Sequence, residues 1–466
     1  MADGVNAGLA SALNESVVNP FERSDEVTQV ARSFFYLITP NESSFEHLSE
    51  VPNYRLKTLP YAPSILLCEV ILLWIEGKRL PRWNDSLTSL CSILLIYLPV
   101  IVLGQIEMNF YIWLYENVRL VDLPWNAWYT WVLGILTVDF GSYLWHRAAH
   151  EVNLIWAFHQ VHHTPEDFNL FVGLRLPSLN RYIAIFFYLP CAFLIPPSIF
   201  ATHYQLNYMF QFWIHTDAVP TLGIMDYIIN NPSLHRVHHG RNRYCIDKNY
   251  GAVFSFWDWL FGTLQREKKD ETLYYGLVHP INSWDSLYMQ IHHLKYMFGR
   301  VFELTTWSDR ISLFVKGPGW QPGTPRLGHY EDIPEIPKDK SRYDKKVPMI
   351  GNIYLLVHTI IGFYVFQKIK VTKLMFPVSS SNIVYGQALF ILWTIGNIGW
   401  ILEHKSYAPL LEAGRCATYF LLEMILYDVF AVSATGLLVL RITFALSFLF
   451  WIFNQNMFKT GKLKQK

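Results

Sequence analysis

Trp125-Asn-Ala-Trp-Tyr-Thr-Trp-Val-Leu-Gly-Ile-Leu-Thr-Val-Asp-Phe-Gly-Ser-Tyr-Leu-Trp145 runs directly into His146-Arg-Ala-Ala-His150. The first part is 21 residues of mainly apolar side chains with aromatics at both ends. As a helix it spans about 31 Å, close to the roughly 30 Å of a bilayer's hydrocarbon core, and tryptophans favour the two interfaces. The second part places two imidazoles where that helix ends. An apolar helix that finishes in ligand-type side chains predicts a membrane protein with chemistry at the bilayer surface.

Composition agrees. Of 466 residues, 52% are apolar, 16% aromatic and 16% charged, and mean hydropathy is +0.18. A soluble chain carries about 25% charged residues. Lys plus Arg (38) balances Asp plus Glu (37), so no basic excess points to nucleic acid. Cys68, Cys91, Cys191, Cys245 and Cys416 are widely separated, which excludes a disulfide framework and a zinc ribbon.

Working outward, the first 50 residues are polar, show no cleavable leader and hold two glycosylation-type sequons, at Asn14 and Asn41. Apolar stretches at 62–75 and 87–106 precede 125–145. After a less apolar stretch come segments at 182–201 and 204–222, the first broken by Pro190, Pro196 and Pro197, which predicts a hairpin. Residues 229–347 read as soluble and include the loop-forming Lys316-Gly-Pro-Gly-Trp-Gln-Pro-Gly-Thr-Pro. Four further crossings are expected at 350–368, 383–402, 417–440 and 442–458, the third carrying Glu423 and Asp428.

The predicted fold is therefore all-α, a polytopic helical bundle in the membrane. Its expected divisions are a polar segment at 1–60, a catalytic core at 61–265, a loop region at 266–348, C-terminal helices at 349–459 and a basic tail at 460–466. Five basic residues between Lys338 and Lys346, with Lys78, Arg79 and Arg82, belong on the cytosolic side by the positive-inside rule. That orientation puts the N-terminal segment in the lumen and the histidines and tail in the cytosol. The tail, Lys462-Leu-Lys464-Gln-Lys466, resembles the K-x-K-x-x retrieval signal of endoplasmic reticulum membrane proteins.

Histidine is the unusual residue. Composition predicts fewer than one in an 18-residue window, yet residues 146–163 hold five. The clusters are His146 and His150; His159, His162 and His163; and His235, His238 and His239. Spacings of three and four put each cluster on one helical face, aimed at a common point. Eight imidazoles are too many for one ion and suit two ions of four ligands each, with open positions left for dioxygen and substrate. Polar groups bunched at membrane depth are costly and usually functional. Isolated His47, His203, His329, His358 and His404 are read as hydrogen-bonding or interfacial residues, and His292-His293 as solvated surface.

Imidazole alone leaves iron, copper, zinc and nickel open. A hydrolytic H-E-x-x-H site fails because position 154 is Leu154. The glutamate-rich pattern of soluble di-iron bundles is missing too. A metal transporter would spread its ligands along the crossings, whereas these gather beyond helix ends.

The order H-x3-H, H-x2-H-H, H-x2-H-H over residues 125–265 resembles the fatty acid hydroxylase and sterol desaturase superfamily of membrane di-iron oxygenases. Val138-Asp-Phe-Gly141, His146-Arg-Ala-Ala-His-Glu-Val-Asn153, Gln211-Phe-Trp-Ile-His-Thr216, His235 through Tyr250, and the Lys316 loop are similar to its ether-lipid-cleaving members. The resemblance implies two iron ions, tetrahydrobiopterin and dioxygen. The substrates it implies are alkylglycerols and lyso-ether phospholipids, hydroxylated next to the ether oxygen to release a fatty aldehyde. The alternative within the superfamily is a sterol or sphingolipid hydroxylase or desaturase fed by a b-type cytochrome. No nucleotide fingerprint or haem module is present, so electrons come from an external donor.

Further candidates are single residues. His215 near the hairpin's return reads equally as a ninth ligand or a satisfied core histidine. Glu151 beside His150 is expected to orient a ligand imidazole or hold the pterin's amino-pyrimidine edge. Asp139, two turns before His146, reads as a partner behind the ligands or a buried capping group. Arg241, Asn242 and Arg243 follow the third cluster and suit lipid head groups or the pterin.

Overall fold

The computed structural model describes residues 20–336, 342–375, 380–427 and 433–458. The sequon at Asn14, much of the basic loop from Lys338 and the Lys462–Lys466 tail lie outside those residues. Among the described residues the chain is helical, with only isolated bridges in place of strands, as expected.

In chain order, α1 (Pro20–Phe34) lies on the surface of α8 and is followed by α2 (Ala62–Ile75), α3 (Trp83–Leu103) and α4 (Ile106–Val118). Next come α5 (Trp128–Glu151), α6 (Asn153–His159), α7 (Asn180–Tyr188), α8 (Pro197–Trp213) and α9 (Pro232–His239). The polar portion folds as α10 (Ser286–Val301) and α11 (Trp307–Val315). Four helices close the chain: α12 (Met349–Met375), α13 (Ser380–Leu402), α14 (Ala408–Ile425) and α15 (Ala434–Phe453).

Five helical stretches are long and apolar enough to cross a bilayer: Leu48–Ile75, Trp83–Leu103, Met349–Ile369, Asn382–Leu402 and Ala434–Phe453. This makes the chain a multi-pass membrane protein. Two expectations change. The 125–145 stretch forms the helix α5 but is not among the five, because Thr130, Asp139 and Ser142 interrupt its apolar run. These residues are buried in the protein interior. The expected crossings at 417–440 and 442–458 become α14 and α15 with other boundaries. Helix α14 is polar within: Arg415 is fully buried and donates from Nε to Glu412 Oε2 at 2.8 Å. A charge in that setting persists only when paired.

Two cores result. Helix α3 packs with α12 to α15 through residues such as Leu94, Ile361, Ile395 and Phe444. The second core joins α4, α5, α7 and α8 through Tyr111, Val138, Trp145, Ala184, Tyr188 and Phe200. The prolines at 190, 196 and 197 do break the predicted hairpin, with a 3-10 turn at Leu189–Phe193 before α8. This second core carries the helix that ends in His146 and His150.

Candidate metal centre

The three sequence clusters converge, and all eight imidazoles are buried. They sort into two groups in an order that spacing alone did not give. His146, His150, His159, His163 and His238 form one group, and His162, His215, His235 and His239 form the other. Within each group one ligand atom per residue lies within 4.8 Å of the rest. The expectation that each cluster aims at one point is corrected. Each i, i+4 pair stays together: His146 with His150, His159 with His163, His235 with His239. The remaining member of each triplet crosses to the other group. Neighbouring residues on a helical turn point about 100° apart, so His162-His163 and His238-His239 straddle both groups. In addition, α6 ends at His159, and 160–163 continue as turns closed by His162 N–H to His159 O at 2.9 Å. The division is five and four, where four and four was expected.

His215, one of the two open readings, lies in the second group. It follows the C-terminal end of α8, turned inward by its N–H bonding to Phe212 O at 3.3 Å.

Hydrogen bonds fix which ring nitrogen faces inward. Nδ1 of His146 donates to Tyr250 O (3.0 Å), of His162 to Arg175 O (3.2 Å), of His215 to Gln211 O (2.7 Å) and of His238 to Lys248 O (2.9 Å). A carbonyl only accepts, so each Nδ1 carries the proton and each Nε2 presents a lone pair. This is the usual way a protein orients a metal-binding imidazole. Burial, then neighbouring imidazoles, hold His159, His163, His235, His238 and His239 well below the ordinary histidine value. Burial pushes His215 down to about 4. The rings are neutral, the form that binds metal.

The donor set fits metal ions. Nε2 of His150, His159, His163 and His238 is buried without a hydrogen-bond partner. In the second group, His162 and His215 Nε2 are 3.1 Å apart, His215 and His235 Nε2 2.8 Å, and His235 and His239 Nε2 3.1 Å. Between His162 and His215, whose protons are both on Nδ1, lone pairs held that close repel. Adjacent corners around an ion with bonds of about 2.1 Å are separated by about 3 Å, so a cation turns the repulsion into ligation. Each group can hold an ion.

The carbonyls that aim the rings belong to a surrounding frame. Asp258 accepts from Tyr250 and Gly251 N–H, both at 2.7 Å, and shapes the turn that presents Tyr250 O. Arg175, fully buried, binds the Asp85 carboxylate and bonds Ser89 Oγ at 3.2 Å, anchoring the segment whose carbonyl holds His162 to α3. Sequence reading missed these residues, since a backbone carbonyl leaves no signature in residue type.

Asp139 is fully buried and touches no imidazole. Its carboxylate accepts from Asn207 Nδ2 (2.8 Å), Val253 N (2.8 Å), Phe254 N (3.1 Å) and Trp257 Nε1 (3.0 Å). Glu151 pairs with Arg147 (2.8 Å) and Arg326 (3.1 Å). Asn242 is buried and ties to Glu271, Thr272 and Tyr274, while Arg243 donates to Ile333 O at 2.7 Å. His293 differs from the solvated reading: it is half-buried and donates to Asn153 Oδ1 at 2.6 Å. His203 and His358 are hydrogen-bonding core residues, as expected, to Tyr36 and Ser447.

A cleft opens on the centre. Trp145, Leu176, Tyr188 and Phe212 give it apolar walls, Asn180, Tyr208 and Gln211 polar points, and His146, His159, His162, His215 and His235 its floor. That make-up, apolar walls with a few polar points, suits an amphiphilic molecule.

The class follows from comparison with known families: residues 131–263, which carry all nine clustered imidazoles, match the fatty acid hydroxylase family. Residues 351–441 match the alkylglycerol monooxygenase C-terminal domain. The chain is 41% identical to alkylglycerol monooxygenase of Homo sapiens over 87% of its own length and 90% of the relative's. It is 39% identical to that of Xenopus tropicalis, over 91% of this chain and 94% of the relative. To that of Caenorhabditis elegans it is 32% identical, over 83% and 79%. The chain belongs to the alkylglycerol monooxygenase family. No solved structure matches it.

Proposed function

We propose that this chain is a di-iron, tetrahydrobiopterin-dependent monooxygenase that cleaves the O-alkyl bond of alkylglycerols and lyso-ether phospholipids. The observation that carries the reading is the pair of neutral imidazole groups beneath an amphiphilic cleft. Attack on an unactivated C–H bond needs a redox metal, which zinc is not. Iron held by the two groups, with reduced pterin and dioxygen, supplies that oxidising power.

The chain's own residues do the rest. His146, His150, His159, His163 and His238 hold one ion, and His162, His215, His235 and His239 the other. Trp145, Leu176 and Phe212 cover the alkyl chain and exclude water. Asn180, Tyr208 and Gln211 meet the glycerol hydroxyls; Asn180 Nδ2 already donates to Tyr208 Oη at 2.8 Å. This grip sets the carbon next to the ether oxygen over the imidazole floor. Hydroxylation there gives a hemiacetal, whose C–O bond breaks as the hydroxyl proton passes to the departing glycerol oxygen. The products are a fatty aldehyde and a glycerol derivative.

Asp139 is a positioning residue for the 253–257 segment. The carboxylate of Glu151 is offered to the pterin's amino-pyrimidine edge on exchange of its arginine partners. The 61–265 core is the catalytic part, 266–348 is a cytosolic region beside it, the 349–459 helices anchor it in the endoplasmic reticulum membrane, and the site faces the cytosol. The basic residues around Lys78 and Lys338–Lys346 support that orientation.

The test is metal analysis of purified full-length protein with turnover on an alkylglycerol. Two irons and turnover that needs reduced pterin are expected. Turnover driven by a b-type cytochrome without pterin, or a zinc-only centre, overturns the reading.

A further inference from the structure

Outside the cleft, the outward face of α10 and α11 is an apolar surface that the reaction does not use. On α10 and just beyond it, Ile291, Lys295, Phe298 and Phe302 fall at i, i+4, i+7 and i+11, one line along the helix, and all are exposed. Phe302 is 82% exposed. On α11, Trp307, Ile311 and Val315 repeat every four residues and are likewise exposed, Trp307 at 75%. The opposite faces, Met289 and Met297 on α10 and Leu313 on α11, are buried. Both helices pack on α6, so both apolar lines turn away from the metal centre.

Basic side chains border these lines. Lys295 is within one, Arg300 lies beside Phe302 and pairs with Glu303, and the Arg310 guanidinium sits 4.9 Å over the Trp307 ring. Lys316 follows Val315, with its ammonium 4.7 Å over the Trp320 ring. Aromatic and aliphatic residues on one face, with lysine and arginine alongside, is the composition of a helix that lies in a bilayer's head-group region.

Position supports the same partner. Helix α10 begins at the end of the membrane-crossing stretch Asn382–Leu402. Trp400 Nε1 donates to Oδ2 of Asp285 at 2.9 Å, and Asp285 caps α10 by accepting from Leu287 and Tyr288 N–H. Glu403 accepts from Trp284 N–H at 2.9 Å. A tryptophan at the end of a crossing marks the interface, so the helix pair starts at that level.

We infer that α10 and α11 form a monotopic hairpin whose Ile291–Phe302 and Trp307–Val315 faces insert into the leaflet beside the crossing helices, with the basic residues meeting lipid phosphates. The hairpin also grips the helix that bears His159. Asn153 Nδ2 donates to Leu313 O at 2.8 Å and Asn153 N to Lys316 O at 2.7 Å. His293 donates to Asn153 Oδ1 at 2.6 Å, and Gln160 Nε2 to Met289 O at 2.9 Å. The leaflet thereby supports the platform under the metal ligands.

The experiment uses full-length protein in nanodiscs of phosphatidylcholine and phosphatidylserine and needs no turnover, so it is independent of the proposed reaction. In a Cys68→Ser background, which removes the exposed cysteine, a fluorophore is attached after Phe302→Cys, Ile311→Cys or, as a solvent control, Glu335→Cys. A lipid carrying a head-group nitroxide is expected to quench the 302 and 311 labels several-fold more than the 335 label. Soluble iodide should show the reverse order. Equal iodide quenching at all three positions overturns the inference. So does protection at 302 and 311 that appears only when a nanodisc holds two copies, which would make the face a contact between chains.

Discussion

His162 Nε2 and His215 Nε2 stand 3.1 Å apart, and each ring's proton is committed on its far side, to Arg175 O and to Gln211 O. Two neutral imidazoles usually share one proton at such a distance; these cannot without giving up a carbonyl bond. The contact is held by the frame and relieved by a cation. His215→Ala is therefore expected to empty the second group and leave the five-histidine group filled. Iron per chain should fall by about half, from two towards one, since a lost ligand lowers affinity steeply. Unchanged iron content in correctly inserted protein would remove His215 from the ligand set.

The two-group division also predicts a shared phenotype for residues adjacent in sequence. His162→Ala and His163→Ala strip different groups, yet both should abolish turnover while the protein still reaches its membrane. Iron lost from each should differ in spectroscopic signature if the groups hold distinct ions. Full activity in either variant contradicts the assignment.

Much of this was legible beforehand, for a physical reason. Histidine is rare at membrane depth and expensive there, so its clustering exposed the centre, and the i, i+4 pairs His146–His150 and His235–His239 did converge. What spacing could not show was the partition of the H-H pairs. That depends on how the three helix segments are placed around the two groups, a tertiary outcome: His238 and His239 separate within continuous α9, and His162 and His163 separate just past the end of α6. Glu151 adjoins a ligand in sequence, but the next position on a helix is turned about 100° away, here towards Arg147 and Arg326. The apolar reading of 125–145 located α5 but not the inward packing of its polar residues Thr130, Asp139 and Ser142, which is a tertiary outcome.

Gly173 tests the space behind His215. A Cβ built there comes 3.2 Å from His215 Nδ1 and 3.2 Å from Phe212 Cδ2. Both neighbours line the cleft, so the methyl must push the ring aside by a few tenths of an ångström or strain it, at a cost of up to about 1–3 kcal/mol. Gly173→Ala is expected to keep the fold and first-group iron but lower turnover by about tenfold or more, since small misplacements of reacting groups are costly. Gly173→Val should be worse than Gly173→Ala. Wild-type turnover in both would show that this approach does not constrain the ligand.

The buried Arg175–Asp85 pair yields the prediction with the most internal control. Arg175 is inaccessible, binds the Asp85 carboxylate, and offers its own carbonyl to His162 Nδ1 at 3.2 Å. Removing one member of a buried pair strands the other charge, which costs roughly 3–5 kcal/mol, whereas replacing both with apolar residues is often near neutral. Asp85→Leu, which strands the Arg175 charge, should thus lower thermal stability sharply and loosen iron in the second group, and Arg175→Met should do so less, because Asp85 keeps Arg82 at 3.4 Å. The double variant should recover stability. If stability returns without second-group iron, Arg175 orients His162 through its side-chain anchorage. If iron returns too, the backbone at 175 is held well enough by its neighbours, and the pair serves the fold alone.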